Sequence, residues 1–400
     1  MSGNIGANIR RERRQRGWSQ ARLAREVCRV AGVQGEPVGR QEVSRWETGK
    51  RTPRGWLPFI AAALGVSVDA LTAPQGPAES PLPTLADYLP ADDPLAPLGA
   101  RTGRRIGMEQ VGDLQQRVHG LRLADDVLAG GDLIRPALRE LRSAVMLYRE
   151  GSHTGEVGRA LLRQIGELGQ IAGWIASDAG QHSEAEQIYR LGLSAARQAE
   201  DHTLAGNLAG SLAYQLSNTG REVEGIRLAR AALDAAGTDA PAKARALYLD
   251  RVAWAHTKAG EVQPAIWALG EASEALDQDG AGSEAPAYLY WVDSGELQVM
   301  ESRVYTELRR PLRAVPLLRD VLSRYDATHT RELALYLSWL AVALSDANEP
   351  EEAVAVAERV MSLSADVASE RTAERVRIVL ARLEEFHDIP DVRALLDGAA

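Results

Sequence analysis

Arg16-Gly17-Trp18-Ser19-Gln20-Ala21-Arg22-Leu23-Ala24, followed by Gln41-Glu42-Val43-Ser44-Arg45-Trp46-Glu47-Thr48-Gly49-Lys50-Arg51-Thr52-Pro53, is the stretch that decides how the front of this chain folds. Ser19 is a residue type that caps a helix by accepting from its orphan amides. Leu23, Ala24 and Val27 then form an apolar face. Val43 and Trp46, three apart, bury one side of a second helix. Arg40, Gln41, Ser44 and Arg45 stay on its opposite side. Arginine and glutamine are the side chains that reach guanine and adenine edges in a major groove. Gly49 supplies a Schellman-like stop, and Pro53 forbids continuation.

The combination Ser19-Gln20, Leu23-Ala24, Val43-Ser44-Arg45-Trp46-Glu47, Gly49 and Arg51-x-Pro53 resembles the Cro/C1-type (XRE, lambda-repressor-like) helix-turn-helix family over residues 4–72. The resemblance implies a double-stranded DNA operator as partner. It implies base contacts by Arg40, Gln41 and Arg45, with Ser19, Gln20, Ser44 and Lys50 on phosphates. It also implies a structural ion pair between Arg13 and Glu47. The chain departs from the family between the two helices. Cys28 to Pro37 insert roughly eight or nine residues where the family has a tight turn.

Charge is divided along the chain. Residues 1–72 carry 13 basic and 6 acidic side chains, a net +7; the remaining 328 carry 33 and 49, a net −16. A small basic head on a large acidic body fits nucleic-acid binding confined to one end. The single cysteine, Cys28, excludes an intramolecular disulfide and argues against a cysteine-based metal site. Residues 1–16 have no apolar signal-peptide core, and no run of 18 apolar residues exists. A cytoplasmic protein without membrane association is expected.

Seven prolines between Pro74 and Pro97 mark residues 73–107 as an extended linker, with Leu82, Leu85, Tyr88, Leu89, Leu95 and Leu98 able to dock it onto a neighbour. From Met108 the pattern is helical to the end, and it repeats. Asp178-Ala179-Gly180, Asn218-Thr219-Gly220 and Lys258-Ala259-Gly260 end successive helices 40 residues apart. Gly173, Ala213 and Ala253 stand seven residues before each glycine; Ala185, Gly225 and Ala265 stand five after it. Two further units carry Ser302 with Ala314 and Ala341 with Ala353. Small residues at helix crossings permit close approach, and repetition buries a continuous core. The pattern resembles the tetratricopeptide repeat with a longer period. The expected fold is all-α: a lambda-repressor-like head (1–72), a Pro-rich linker (73–107) and a tetratricopeptide-like α-solenoid (108–400) for ligand binding and dimerisation.

The standard catalytic and metal constellations are missing from the sequence, and no two histidines have ligand-pair spacing on one helix face. No enzyme and no cofactor are expected. The repeat resemblance implies that the first helix of each pair lines a groove. It points Gln170, Trp174, Asn207, Tyr214, Asp250, Trp254 and Arg303 into it as ligand contacts. Trp174, Tyr214 and Trp254 fit packing between helices equally well. Head plus array resembles the peptide-pheromone receptors of Gram-positive bacteria, and actinobacterial-type regulators of the same architecture. The resemblance implies a homodimeric transcriptional regulator gated by a peptide or small-molecule effector. The alternative is an adaptor whose repeats recruit a partner protein to DNA.

Overall fold

A computed structural model describes residues 3–16, 18–33, 37–72, 83–96, 103–237, 239–279, 284–325, 330–365, 367 and 369–399. Within them the regular structure is helical, with no strand. The chain divides into two compact units, Met1–Leu82 and Pro83–Ala400.

The head holds α1 (Gly3–Gln15), α2 (Gln20–Ala31), α3 (Arg40–Glu47), α4 (Leu57–Leu64) and α5 (Val68–Thr72). Ser19 caps α2, its hydroxyl accepting from the Arg22 amide at 3.1 Å. The insertion has a simple outcome at its near end: Cys28 to Ala31 extend α2 by a turn, and Gly32 stops it at φ 65°. Val38 returns the chain to the core, its carbonyl 3.7 Å from the Cys28 sulfur. Gln34 to Glu36, also in the insertion, lie outside the described residues. Val43 and Trp46 are buried with Ile9, Leu23, Ile60 and Leu64, which ties α3 to the other helices.

The body contains α6 (Met108–Val127), α7 (Gly130–Glu150), α8 (Gly155–Asp178), α9 (His182–Gln198), α10 (His202–Asn218), α11 (Glu222–Ala236), α12 (Ala242–Lys258), α13 (Val262–Leu276), α14 (Ser294–Glu307), α15 (Pro311–Arg324), α16 (Thr330–Asp346), α17 (Pro350–Ser364), α18 (Glu370–Leu383) and α19 (Pro390–Ala399). Consecutive helices from α8 to α17 pack as five pairs, each against the next. The small residues sit where the period puts them. Ala185, Ala213, Ala253, Ala265, Ser302, Ala314, Ala341 and Ala353 are completely buried. A methyl on Gly173 would lie 2.6 Å from the Tyr189 ring, so that crossing needs glycine.

Gly180, Gly220 and Gly260 close three first helices at φ 76°, 81° and 73°. Arg309 and Asn348 take the same left-handed position after α14 and α16, at φ 51° and 63°. Gly220→Ala would meet nothing within 4 Å, so its cost is backbone strain alone, about 1 kcal/mol. The expected result is a lowered urea midpoint of the body with unchanged slope.

The proline-rich segment is not a spacer throughout. Pro74, Pro77, Pro81, Leu82, Pro97 and Leu98 lie outside the described residues, but residues 83–96 belong to the body. Leu85, Tyr88 and Leu95 are buried in its core. The Asp93 carboxylate accepts from the Ser194 hydroxyl, and from the Gln198 amide at 3.1 Å. Apolar side chains at turn spacing overrode the expectation of an extended linker here.

Candidate functional sites

In the head, Arg40, Gln41, Arg45 and Lys50 are exposed, and Ser44 is half-buried beside them. The start of α3 and Gln20 at the start of α2 line one shallow cleft, with Gly39, Arg40, Gln41, Glu42 and Ser44. Five polar side chains at the starts of two helices, Gln20, Arg40, Gln41, Glu42 and Ser44, thus line one surface, a composition suited to a phosphate and a base edge together. Two members are already engaged. The Gln20 amide donates to the Glu47 carboxylate at 2.9 Å, so Gln20 also braces the fold. Arg45 pairs with Glu42 at 2.7 Å, and Glu42 pairs with Arg51 at 2.9 Å. Ser19 spends its hydroxyl on the α2 cap. Arg51 and Arg54, exposed beside Lys50, extend the basic surface beyond the residues singled out from sequence.

In the body, a cavity of about 560 Å³ is lined mainly by the first helices of the pairs, with residues of α6, α15 and α18. Gln170, Trp174, Asn207 and Arg303 line it, as the repeat pattern placed them. Tyr214, Asp250 and Trp254 do not line it. The aromatics recur at one position per repeat and therefore stack on each other across neighbouring helices. Trp174 and Tyr214 have ring centres 5.7 Å apart, Tyr214 and Trp254 5.8 Å; Trp254 meets Trp339 edge-on at 5.8 Å. Of the inner rungs, Trp254 is buried and Tyr214 half-buried. Asp250 is buried against Arg251 at 3.3 Å.

Cations flank this ladder. The Arg303 guanidinium lies 4.6 Å from the Trp254 centroid and 5.4 Å from Trp339, Arg251 4.8 Å from Tyr214, Arg375 3.5 Å from Trp339 and Arg371 5.3 Å from Trp174. Burial alone would push the Tyr214 hydroxyl up, but Arg303, Arg371 and Arg251 outweigh it and bring it down to about 8. Burial pushes the Glu296 carboxyl up to about 7, with the Tyr336 hydroxyl donating to it at 2.6 Å.

The cavity is walled because the two ends of the array meet. The Tyr290 hydroxyl donates to Asp126 on α6 at 2.7 Å, and Arg331 at the start of α16 pairs with Asp125 on the same helix at 3.2 Å. The Ser369 hydroxyl, capping α18, donates to Asp178 at the end of α8 at 3.0 Å. These contacts join residues 164 to 206 positions apart in sequence. Arg122, Glu296, Glu332 and Arg371, which the sequence reading missed, line the cavity as a result. The repeat period carries no signal for Arg371, which lies beyond the last repeat it detects. Glu296 falls one turn N-terminal to Met300 and two turns before Arg303, so helical spacing on α14 could have found it.

Residues 4–74 match the helix-turn-helix domain family, so the chain carries such a domain at its front. No curated protein matches the chain. Among solved structures, the crystal structure of Bacillus thuringiensis PlcR in complex with the peptide PapR7 and DNA is similar at 12% identity and a TM-score of 0.32, covering 88% of this chain and 99% of that one. No described helix is long and apolar enough to cross a membrane.

Proposed function

We propose that this protein is a sequence-specific DNA-binding regulator, a homodimer without enzymatic activity. Its DNA affinity responds to a peptide or small-molecule effector held in the cavity of the body. The observation that carries the reading is the exposed polar face of α3, set at the mouth of the α2–α3 cleft in a domain of helix-turn-helix type. The +7 charge of residues 1–72 supports it. Arg40, Gln41 and Arg45 read base edges; Ser44, Lys50 and the cap of α2 sit on the backbone. Arg45 exchanges Glu42 for a base on binding, so Glu42 acts against non-cognate sites by holding the side chain back. The effector part is supported by the cavity's size, within the range of ligand sites, and by its mixed aromatic and polar walls.

The test is selection of an operator from random duplexes by the full chain, then titration of that operator. Arg40→Ala/Arg45→Ala is expected to lose about 1–3 kcal/mol for each guanine contact removed and to relax the preferred sequence. Lys50→Ala is expected to weaken all sequences alike and flatten the salt dependence. Unchanged operator affinity in the double variant would remove α3 from the interface. A homodimer predicts that the selected sites show two-fold symmetry.

A further inference from the structure

Most charges around the body cavity are already satisfied. Arg122 faces Glu167 at 3.7 Å, Arg251 pairs with Asp250, Arg324 with Asp320 at 2.6 Å and Arg331 with Asp125. Asp126 accepts from Tyr290, and Asp293 caps α14. Two cations and two carboxylates are left over. Arg303 is 6% exposed; it donates to the Tyr214 hydroxyl, its Nε has no hydrogen-bond partner, and no carboxylate pairs with it among the described residues. Arg371 rests on the face of Trp174, again with no carboxylate partner among the described residues. On the other side, Glu296 and Glu332 accept from Tyr336 and Tyr325 and have no cation paired to them among the described residues. All four line the same cavity.

A buried guanidinium without an anion and a carboxylate without a cation are both costly arrangements in a closed protein interior. Placed in one cavity, they form complementary poles. Glu296 and Arg303 lie seven residues apart on α14, two turns along one face and roughly 10 Å along the axis. An extended peptide covers that distance in about three residues. The same lining includes Gln170, Asn207 and Ser211, amides and a hydroxyl able to pair a peptide backbone; the Gln170 amide oxygen also accepts from Arg122 at 2.9 Å.

We propose that the cavity takes a dipolar ligand of short-peptide class, its anionic group held by Arg303 and Arg371 and its cationic group by Glu296 and Glu332. This rests on the reading of the cavity as the effector site and names the ligand's chemistry. A free tripeptide fits it with its carboxylate toward the arginines and its ammonium toward the glutamates.

The charge on Glu296 makes the binding pH-dependent. Burial raises that carboxyl, and Glu332 and Asp250 raise it further, against the lowering by the Tyr336 hydrogen bond and Arg303; Arg251 also faces it from α12. Protonated below about pH 7, it holds an ammonium poorly.

The experiment is retention of a random tripeptide pool on the full-length protein, compared with the same pool N-acetylated and C-amidated, with small molecules from a cell extract run in parallel. The unblocked pool is expected to be retained, and each blocked pool to be retained at least tenfold less. Arg303→Gln should erase the discrimination against the amide, and Glu296→Gln the discrimination against the acetyl group. From pH 8 to pH 6, retention of the unblocked pool by the parent should fall relative to that by Glu296→Gln, because the peptide's own ammonium titrates alike in both. Equal retention of blocked and unblocked pools would overturn the proposal. So would an extract molecule lacking one of the two charges whose retention is lost in Arg303→Gln while no tripeptide is held; that outcome leaves the effector reading standing. Retention of nothing from either source would overturn both.

Discussion

Glu47→Ala is expected to unfold the head rather than merely weaken its hold on DNA. Glu47 ends α3 and is 5% exposed, yet it is ionised among cations. Arg13 on α1 reaches its carboxylate through Nε at 2.5 Å and Nη2 at 3.0 Å. Gln20 adds a third donor, and Arg10 donates to the Glu47 backbone carbonyl at 2.9 Å. Burial pushes this carboxyl up, but Arg13 and Gln20, with Arg10, more than reverse that and hold it below its usual value. One side chain therefore ties α1, α2 and α3 together. Removing it strands the Arg13 charge at 9% exposure, at a cost of about 3–5 kcal/mol, comparable with the whole stability of a domain this size. Hydrogen exchange in the full chain should show loss of protection across residues 3–72 and normal protection in the body. Replacing both partners, Arg13→Leu with Glu47→Leu, should cost less than the sum of the single changes. The sign with pH follows from the lowered value. The stability Glu47 adds is present above the ordinary carboxyl value of 4.5 and is lost as pH falls through its lower folded value. Full protection in Glu47→Ala with operator binding lost would make Glu47 a DNA contact instead.

The head was legible because its determinants are local. Cap, apolar spacing and stop lie within a few residues of the helices they shape, and Ser19, Val43, Trp46 and Gly49 each do in the structure what their chemistry dictates. The repeat array was legible for the same reason as long as glycine marked the helix ends. Where Arg309 and Asn348 take the left-handed position instead, only the small residues at the crossings remained as a signal. Residues 83–96 were misjudged because proline density says what a segment cannot form, not what Leu85, Tyr88 and Leu95 will pack against. The cavity was half legible. Periodicity names the residues on the inner face of each first helix, and four of the seven inward candidates line the cavity. It does not say that aromatics at equivalent positions will stack, nor that α16 and α18 return to α6 and α8. That closure depends on the summed rotation of every repeat, a quantity no short stretch of sequence carries.

The closure itself should be the most sensitive point of the body, and Arg331 its centre. Its Nη1 lies 3.2 Å from Asp125 and 3.5 Å from Asp178, while Nη2 donates to the Asp125 carbonyl at 2.6 Å. Asp178 in turn accepts from the Gly130 amide and the Ser369 hydroxyl, each at 3.0 Å. One guanidinium thus compensates two buried carboxylates and joins the ends of α6 and α8 to the starts of α7, α16 and α18. Arg331→Met keeps much of the apolar stem and removes the charge, so about 3–5 kcal/mol should be lost from the body. Asp125 reports the cause. Its carboxyl is already raised to about 6, chiefly by burial, with Arg331 the main opposing influence. A folded value above the unfolded one means that ionising Asp125 costs stability as pH rises through about 6. Without Arg331 the cost grows, because the carboxylate and Asp178 face each other unscreened. The deficit of Arg331→Met is therefore expected to be larger at pH 8 than at pH 5, and Asp125→Asn in that background should recover part of it at pH 8. Urea unfolding of the three proteins at both pH values measures this. A deficit independent of pH and untouched by Asp125→Asn would mean that Arg331 stabilises by packing alone. The same variant bears on the cavity. Loosening α16 from α6 opens one wall, so ligand retention should fall in Arg331→Met even where the protein stays folded, with Glu296 and Arg303 in place on α14 but Glu332 and Arg371 no longer held opposite them.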